Sequence, residues 1–155
     1  MNNTATEACF VCQKQHGEVS VPGGIIFENE LIGITHAHLF KDEKDHYLGH
    51  LFVETKRHVA ELGDLTAEEA RELGCQVSRA AKALTATLGV EHVYAFAIID
   101  GMPHVHIHVI GRYPGAPREY WGPKVDEWPE APRGGEVEIA RVADRVRKYL
   151  QQSVL

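Results

Sequence analysis

A chain of 155 residues with 44% hydrophobic and 25% charged residues has the balance of one ordinary globular domain, and 1–155 is expected to fold as a unit. That balance excludes a disordered, coiled-coil or collagen-like main state, and no run of about 18 apolar residues is present to span a bilayer. A net charge of −6 argues against blanket neutralisation of nucleic-acid phosphates, although the local field of a pocket still suits a small phosphate-bearing ligand. Three cysteines cannot build a disulfide framework, and Met1-Asn2-Asn3-Thr4 carries no secretory pattern, so a reducing cytoplasm is expected.

Residues 1–20 hold Cys9-Phe10-Val11-Cys12 in a polar segment that runs on to Pro22-Gly23-Gly24. Ile25 to Glu28 and Leu31 to Thr35 read as two strands with Asn29-Glu30 as their turn, and a polar, histidine-bearing loop follows from His36 to Tyr47. Leu48 to Thr55 reads as a third strand. The clearest helix begins at Thr66, whose pairing with Glu69 makes a capping box, and Leu73, Val77, Ala80, Leu84 and Leu88 recur at helical spacing. Gly89 stands where a helix stop belongs; Gly74, inside the run, costs about 1 kcal/mol relative to alanine.

His92 to Ile99 and His104 to Arg112 read as strands joined through Asp100-Gly101-Met102-Pro103, which predicts an antiparallel hairpin. Residues 113–135 hold five of the seven prolines and both tryptophans, an irregular but ordered composition. Residues 136–151 close the chain as an amphipathic helix with Ile139, Val142, Val146 and Leu150 on one face. The sum is an α+β domain, with an antiparallel sheet of about five strands, a long central helix and a C-terminal helix.

His104-Val105-His106-Ile107-His108-Val109-Ile110 carries the chemistry. Alternation in a strand sets the three imidazoles on one face and the aliphatic residues on the other. Neighbouring histidines are then about 6.8 Å apart along the backbone and the outer two about 13 Å apart, too far for one ion to bridge. Neutral imidazole can attack phosphorus or carry a proton, and a row of three can divide those tasks. A solvated polar face accounts for a lone strand histidine; three in strict alternation, backed by Val, Ile and Val, point to function.

This segment resembles the signature of the histidine triad family of nucleotidyl hydrolases and transferases, in which histidine alternates with apolar residues, and it matches from His104 to Ile110. Gly49-His50 with the following strand, Lys56-Arg57-His58, Asp64-Leu65 with the helix behind it, and Cys9 with Cys12 are similar to further family landmarks in the family's order. The resemblance implies a HIT-like fold in which His106 is the nucleophile at the α-phosphorus of a nucleotide and forms a nucleotidyl-histidine. It makes His108 a phosphate-binding and proton-moving group and places His50 beside the same phosphate. Histidine rather than glutamine in the third position separates the chain from the hexose-phosphate uridylyltransferase branch, so hydrolysis is expected over transfer. The substrate is a nucleoside phosphoramidate or a dinucleoside polyphosphate; the alternative is a nucleotide-binding regulatory module with little turnover.

The resemblance also implies a structural zinc held by Cys9, Cys12, His58 and His104, a donor set that suits a closed tetrahedral site. It implies a homodimer in which Trp121 contacts the neighbouring subunit's site, with nucleotide as the small-molecule ligand and neither nucleic acid nor membrane as a partner. The sequence departs from the family in two places. Asp100-Gly101-Met102-Pro103 replaces the usual phosphate-binding element, leaving the backbone amides of Gly101 and Met102 as donors. Thr35-His36-Ala37-His38 stands where a ribose-binding aspartate is usual, and His36 is the candidate to approach a ribose hydroxyl. Arg112 reads as a phosphate contact or a solvated strand end, Lys56 and Arg57 as an exposed basic turn, and Cys75 as a buried thiol. His16, His38, His46 and His92 receive no role.

Overall fold

The structure, a computed structural model, describes residues 8–153; Met1 and the six residues after it, part of the expected 1–20 segment, lie outside the described residues. In chain order the elements are α1 (Phe10–Gln15), β1 (Ile25–Glu28), β2 (Ile32–His36), β3 (His46–Tyr47), β4 (His50–Thr55), α2 (Ala67–Leu88), β5 (His92–Phe96), β6 (His106–Arg112), β7 (Arg133–Gly134) and α3 (Glu136–Gln152). Short 3₁₀ turns lie at Leu62–Asp64, Arg118–Tyr120 and Gly122–Glu127.

The end signals of α2 do what their chemistry requires. Thr66 Oγ1 accepts the Glu69 N–H at 3.1 Å, Glu69 Oε2 accepts the Thr66 N–H at 2.8 Å, and Gly89 ends the helix in the left-handed region. Five strands form an antiparallel sheet in the order β1-β2-β4-β6-β5. One face is closed by α2 and α3. Ile32, Ile34, Leu51, Val53, Val105 and Val109 pack there against Leu73, Ala80 and Leu84 of α2 and Val142, Val146 and Leu150 of α3. Each such fully buried aliphatic contributes roughly 1.5–3 kcal/mol.

Alternation along β4 sends Leu51 and Val53 into that core, so His50, Phe52 and Glu54 share the opposite face. The antiparallel register sets Phe52 opposite His108 and Glu54 opposite His106, while β5 brings Phe96 opposite His108. Gly49, just ahead of His50, has a φ of 97°, and a Cβ there would lie 2.9 Å from Leu88 Cδ1. No other residue reconciles that backbone with that contact.

Three expectations change. The hairpin is wider than expected, because β5 ends at Phe96 and β6 begins at His106. Met102 N–H turns back to Ile99 O, and Val105 hydrogen-bonds with Val59 and Thr55 ahead of the regular ladder. The loop from His36 to Tyr47 is not all loop: His36 ends β2, and His46–Tyr47 pair with Arg133–Gly134 in a second, two-stranded sheet. Around Cys12 the chain forms a short helix, α1, laid over the site face.

Candidate active site and metal centre

His106 and His108 face a cleft of about 650 Å³, whose walls include Phe10, His38, Phe40, Phe52, Ile98 and Met102. The His106 ring is fixed by its Nδ1, 2.6 Å from the His104 carbonyl oxygen. A carbonyl only accepts, so Nδ1 carries the proton and Nε2 keeps the lone pair. Phe52 meets this ring edge-on, with centroids 5.6 Å apart. The His108 ring stacks on Phe96 at 4.9 Å with the planes 8° apart. Burial first, and the neighbouring His106 second, bring the His108 pKa down to about 4, so it is neutral at pH 7.

His108 Nδ1 lies 2.9 Å from His50 Nε2, and His50 Nδ1 lies 3.2 Å from His46 Nε2. Burial is the main reason that His46 and His50 also sit below the usual imidazole range, His50 far below it, with the surrounding histidines adding to the effect on His50. The sequence therefore brings its three expected catalytic histidines together. His46 joins them because β7 holds β3 over that end of β4.

Cys9, Cys12, His58 and His104 offer four donor atoms, all within 4.8 Å of one another. The Cys9 Sγ–His104 Nδ1, Cys12 Sγ–His58 Nδ1 and Cys12 Sγ–His104 Nδ1 separations are 3.4, 3.4 and 3.6 Å. Zinc bonds of about 2.3 Å to sulfur and about 2.0–2.1 Å to nitrogen give a tetrahedral edge of about 3.5 Å, so the spacing fits. His104 Nε2 donates to Thr55 O at 2.7 Å, which turns the Nδ1 lone pair toward the sulfurs. Burial, with Cys9 beside it, pushes the Cys12 thiol up to about 12 in the bare protein. A cation among these donors reverses that balance and makes thiolates of them. Arg57, next to His58 in the chain, is exposed as expected, and its guanidinium forks onto Glu69 at 2.8 and 2.7 Å, tying this turn to the start of α2.

Other expected contacts fall elsewhere. His36 is fully buried, with Nδ1 2.6 Å from Ala37 O and Nε2 accepting the Gly49 N–H at 3.0 Å, so it has no nitrogen or surface left for ribose. Gly101 and Met102 do line the cleft, but the Met102 N–H is spent on Ile99 O, leaving its side chain as a wall. Trp121 is not among the residues lining its own chain's cleft; it stacks under the Arg112 guanidinium at 3.8 Å and donates to Ala116 O. That stack, a hydrogen bond to Tyr94 and an ion pair with Glu91 account for Arg112. Cys75 is half-buried rather than buried.

The sequence pattern of the HIT domain matches residues 22–115, more than half of the chain. The chain belongs to the HIT family. HIT membership supports nucleotide binding or a hydrolase or transferase activity in general terms. No curated protein matches the chain, whereas solved HIT structures do. A histidine triad nucleotide-binding protein from Sulfolobus tokodaii is 17% identical, with a TM-score of 0.69 and 92% of each chain covered. A zinc-bound histidine triad protein from Mycobacterium smegmatis is 19% identical, with a TM-score of 0.66 and 95% of this chain and 96% of that one covered. A Hit-like protein from Bartonella henselae, described as involved in cell-cycle regulation, is 18% identical over 92% of this chain and 97% of its own, with a TM-score of 0.63. At these identities the likeness is one of fold.

In this HIT chain the residues that sequence reasoning missed are the ones that shape the cleft. His38 stacks on Phe10 at 4.5 Å and leaves its Nδ1 buried without a partner among the described residues. Its pKa is lowered to about 4, by burial first and Lys14 second. His38 lies beyond the end of β2, so strand alternation does not place it and the sequence carried no periodic signal for it.

Proposed function

We propose that this chain is a nucleotide hydrolase working at the α-phosphorus through a covalent intermediate. His106 Nε2 attacks phosphorus, His108 supplies the proton that the departing group needs, and water then cleaves the nitrogen–phosphorus bond to release a nucleoside monophosphate. The observation that carries this reading is the 2.6 Å contact of His106 Nδ1 with the carbonyl of His104, just ahead of the strand, which leaves Nε2 as the free nucleophilic nitrogen on a ring that borders the cleft. Aromatic walls at Phe10, His38, Phe40 and Phe52 suit the flat face of a base.

Cys9, Cys12, His58 and His104 would hold zinc in a closed, structural site, where the ion supplies folding energy and no activated water. Its effect on the reaction is indirect, through His104, whose carbonyl orients His106. As a homodimer, the chain would offer Trp121 to the partner's cleft, which sedimentation of the Trp121→Ala variant against the parent checks.

The test is His106→Asn. It is expected to abolish release of nucleoside monophosphate from adenosine phosphoramidate and diadenosine polyphosphates while the fold stays. In the parent, rapid quenching without acid is expected to leave one nucleotidyl mass on His106. Turnover by His106→Asn at the parent rate would refute the assignment. The thin supply of phosphate donors at Gly101 and Met102 favours a second reading, a binding module with little turnover; calorimetric nucleotide binding without monophosphate release would select it.

A further inference from the structure

Hydrolysis through a histidine adduct needs a proton delivered in its first half, to the departing group, and a proton removed in its second, from water. A single neutral histidine between two uses must be reset each time. The geometry points to a device that does this: we propose that Glu43, His46 and His50 form with His108 a proton relay from the outer surface to the cleft, with His46 a positioning residue for the reaction. The proposal rests on the hydrolase reading of the same site.

Two contacts of the row are within hydrogen-bond reach, and the outermost is a longer approach of carboxylate to imidazole. Glu43 Oε2 lies 3.7 Å from His46 Nδ1, His46 Nε2 lies 3.2 Å from His50 Nδ1, and His50 Nε2 lies 2.9 Å from His108 Nδ1. The Glu43 side chain is 42% exposed and that of His46 11%, so the row passes from solvent to the interior and ends at a ring that borders the cleft. Glu43 is itself aimed by the Phe40 N–H, which donates to the same Oε2 at 3.1 Å. The backbone of His46 is held by pairing with Gly134, and Tyr47 beside it anchors the small sheet through Gly111 O at 2.6 Å.

Each nitrogen–nitrogen contact holds one hydrogen, so the rings share their tautomers. In one state every ring is protonated on Nε2, and His108 Nε2–H faces the cleft. In the other every ring is protonated on Nδ1, and His108 Nε2 is an acceptor. The first half-reaction forms the His106 Nε2–phosphorus bond and breaks the bond to the departing group, which takes the His108 Nε2 proton. His50 then passes its Nε2 proton to His108 Nδ1, His46 passes its own to His50 Nδ1, and His46 Nδ1 takes one from solvent water held beside Glu43. The second half-reaction forms the water oxygen–phosphorus bond and breaks the nitrogen–phosphorus bond. The water proton goes to His108 Nε2, and the row runs back to its starting state. Protons taken up and released are equal.

The charged surroundings suit a neutral row. Asp126 Oδ2 lies 4.0 Å from His50 Nδ1 and favours a proton there, Arg133 opposes charge on His46, and His36 and His106 oppose it on His50. Burial keeps His46, His50 and His108 uncharged at pH 7, so tautomers rather than ions move.

The experiment measures kcat/KM for adenosine 5′-monophosphate esters whose leaving alcohols and phenols span a range of acidity, in the parent and in His46→Gln. That ratio reports the first half-reaction alone. His46→Gln is expected to lower kcat/KM by tenfold or more for an alkyl ester and by less than about twofold for a nitrophenyl ester, in line with the loss of a general-acid supply. Glu43→Gln, at an exposed position, gives the same trend on a smaller scale should His46→Gln not fold. Ring nitrogen-15 shifts give a readout that needs no turnover: His50 and His108 hold matched tautomers in the parent and lose the match in His46→Gln. An unchanged leaving-group slope in a folded variant would overturn the relay. A parent that cleaves none of the esters would overturn the hydrolase reading instead, and matched ring tautomers would then still stand or fall alone.

Discussion

Glu54→Ala is expected to be among the most damaging single changes outside the histidine row. Lys14 Nζ lies 2.6 Å from Glu54 Oε1, and both side chains are 3% exposed, so the pair joins α1 to β4 away from water. Removing the carboxylate strands an ammonium whose remaining partners are Thr35 Oγ1 at 3.0 Å and the faces of Phe10 and Phe52, each 5.9 Å away. Breaking one side of a buried pair costs about 3–5 kcal/mol, and the surviving partners place this case near the lower figure. For a chain of this length about 3 kcal/mol lowers Tm by roughly 6–12 °C. Glu54 Oε2 has no hydrogen-bond partner among the described residues, so the pair is already imperfectly solvated. Lys14→Met combined with Glu54→Leu, which removes both charges, is therefore expected to recover most of the loss. Calorimetric unfolding of the parent, Lys14→Met, Glu54→Leu and their combination, at one zinc loading and beside Glu54→Ala, completes the cycle. A Glu54→Ala cost below about 1 kcal/mol, or a double variant no better than Glu54→Ala, would refute the reasoning that this is a desolvated pair.

Gly74 lies in α2 with open space where a Cβ would go, so Gly74→Ala is expected to raise stability by about 0.5–1 kcal/mol in denaturant titration. Cys9→Ser is expected to lower bound zinc and Tm together, measured by metal analysis and calorimetry on one preparation, because metal held only by the folded state adds to its stability. Glu69 is held at about 2 chiefly by its hydrogen bonds with Arg57, below its ordinary 4.5. Its contribution is full above the unfolded value and is lost as pH falls from there through about 2. Glu69→Gln is therefore expected to flatten the acid limb of a stability–pH profile and to leave its neutral slope unchanged.

Much of this architecture was legible because it rests on periodic signals. The capping box at Thr66 and Glu69 forms as read, Leu73, Ala80 and Leu84 of the α2 stripe are buried with Val77 and Leu88 half-buried, and Ile139, Val142, Val146 and Leu150 are buried together. The histidine alternation put imidazoles on one face of the sheet, and the family resemblance named the cysteine and histidine donors that the fold brings together. What escaped has no repeat. β3 and β7 are two residues long and exist through pairing across the fold, so His46 had no local mark. His36 read as a ligand contact because it stands where the family's ribose-binding aspartate is usual, yet the strand carries it into the interior, where two backbone groups satisfy it. A signal did exist for the Lys14–Glu54 pair: Glu54 interrupts Leu48 to Thr55, and an acid inside a buried strand requires a cation from somewhere.

A helix of six residues cannot persist in water by its own hydrogen bonds. Phe10 and Val11, which border the cleft, belong to such a helix, and they stand where they do because it is moored twice, by the thiol–imidazole cluster at one end and by the lysine that reaches Glu54 at the other. One rim of the cleft is thus borrowed from two buried anchorages instead of being built on the sheet, and slackening either would change the width of the cleft before it shifted the imidazoles on the sheet.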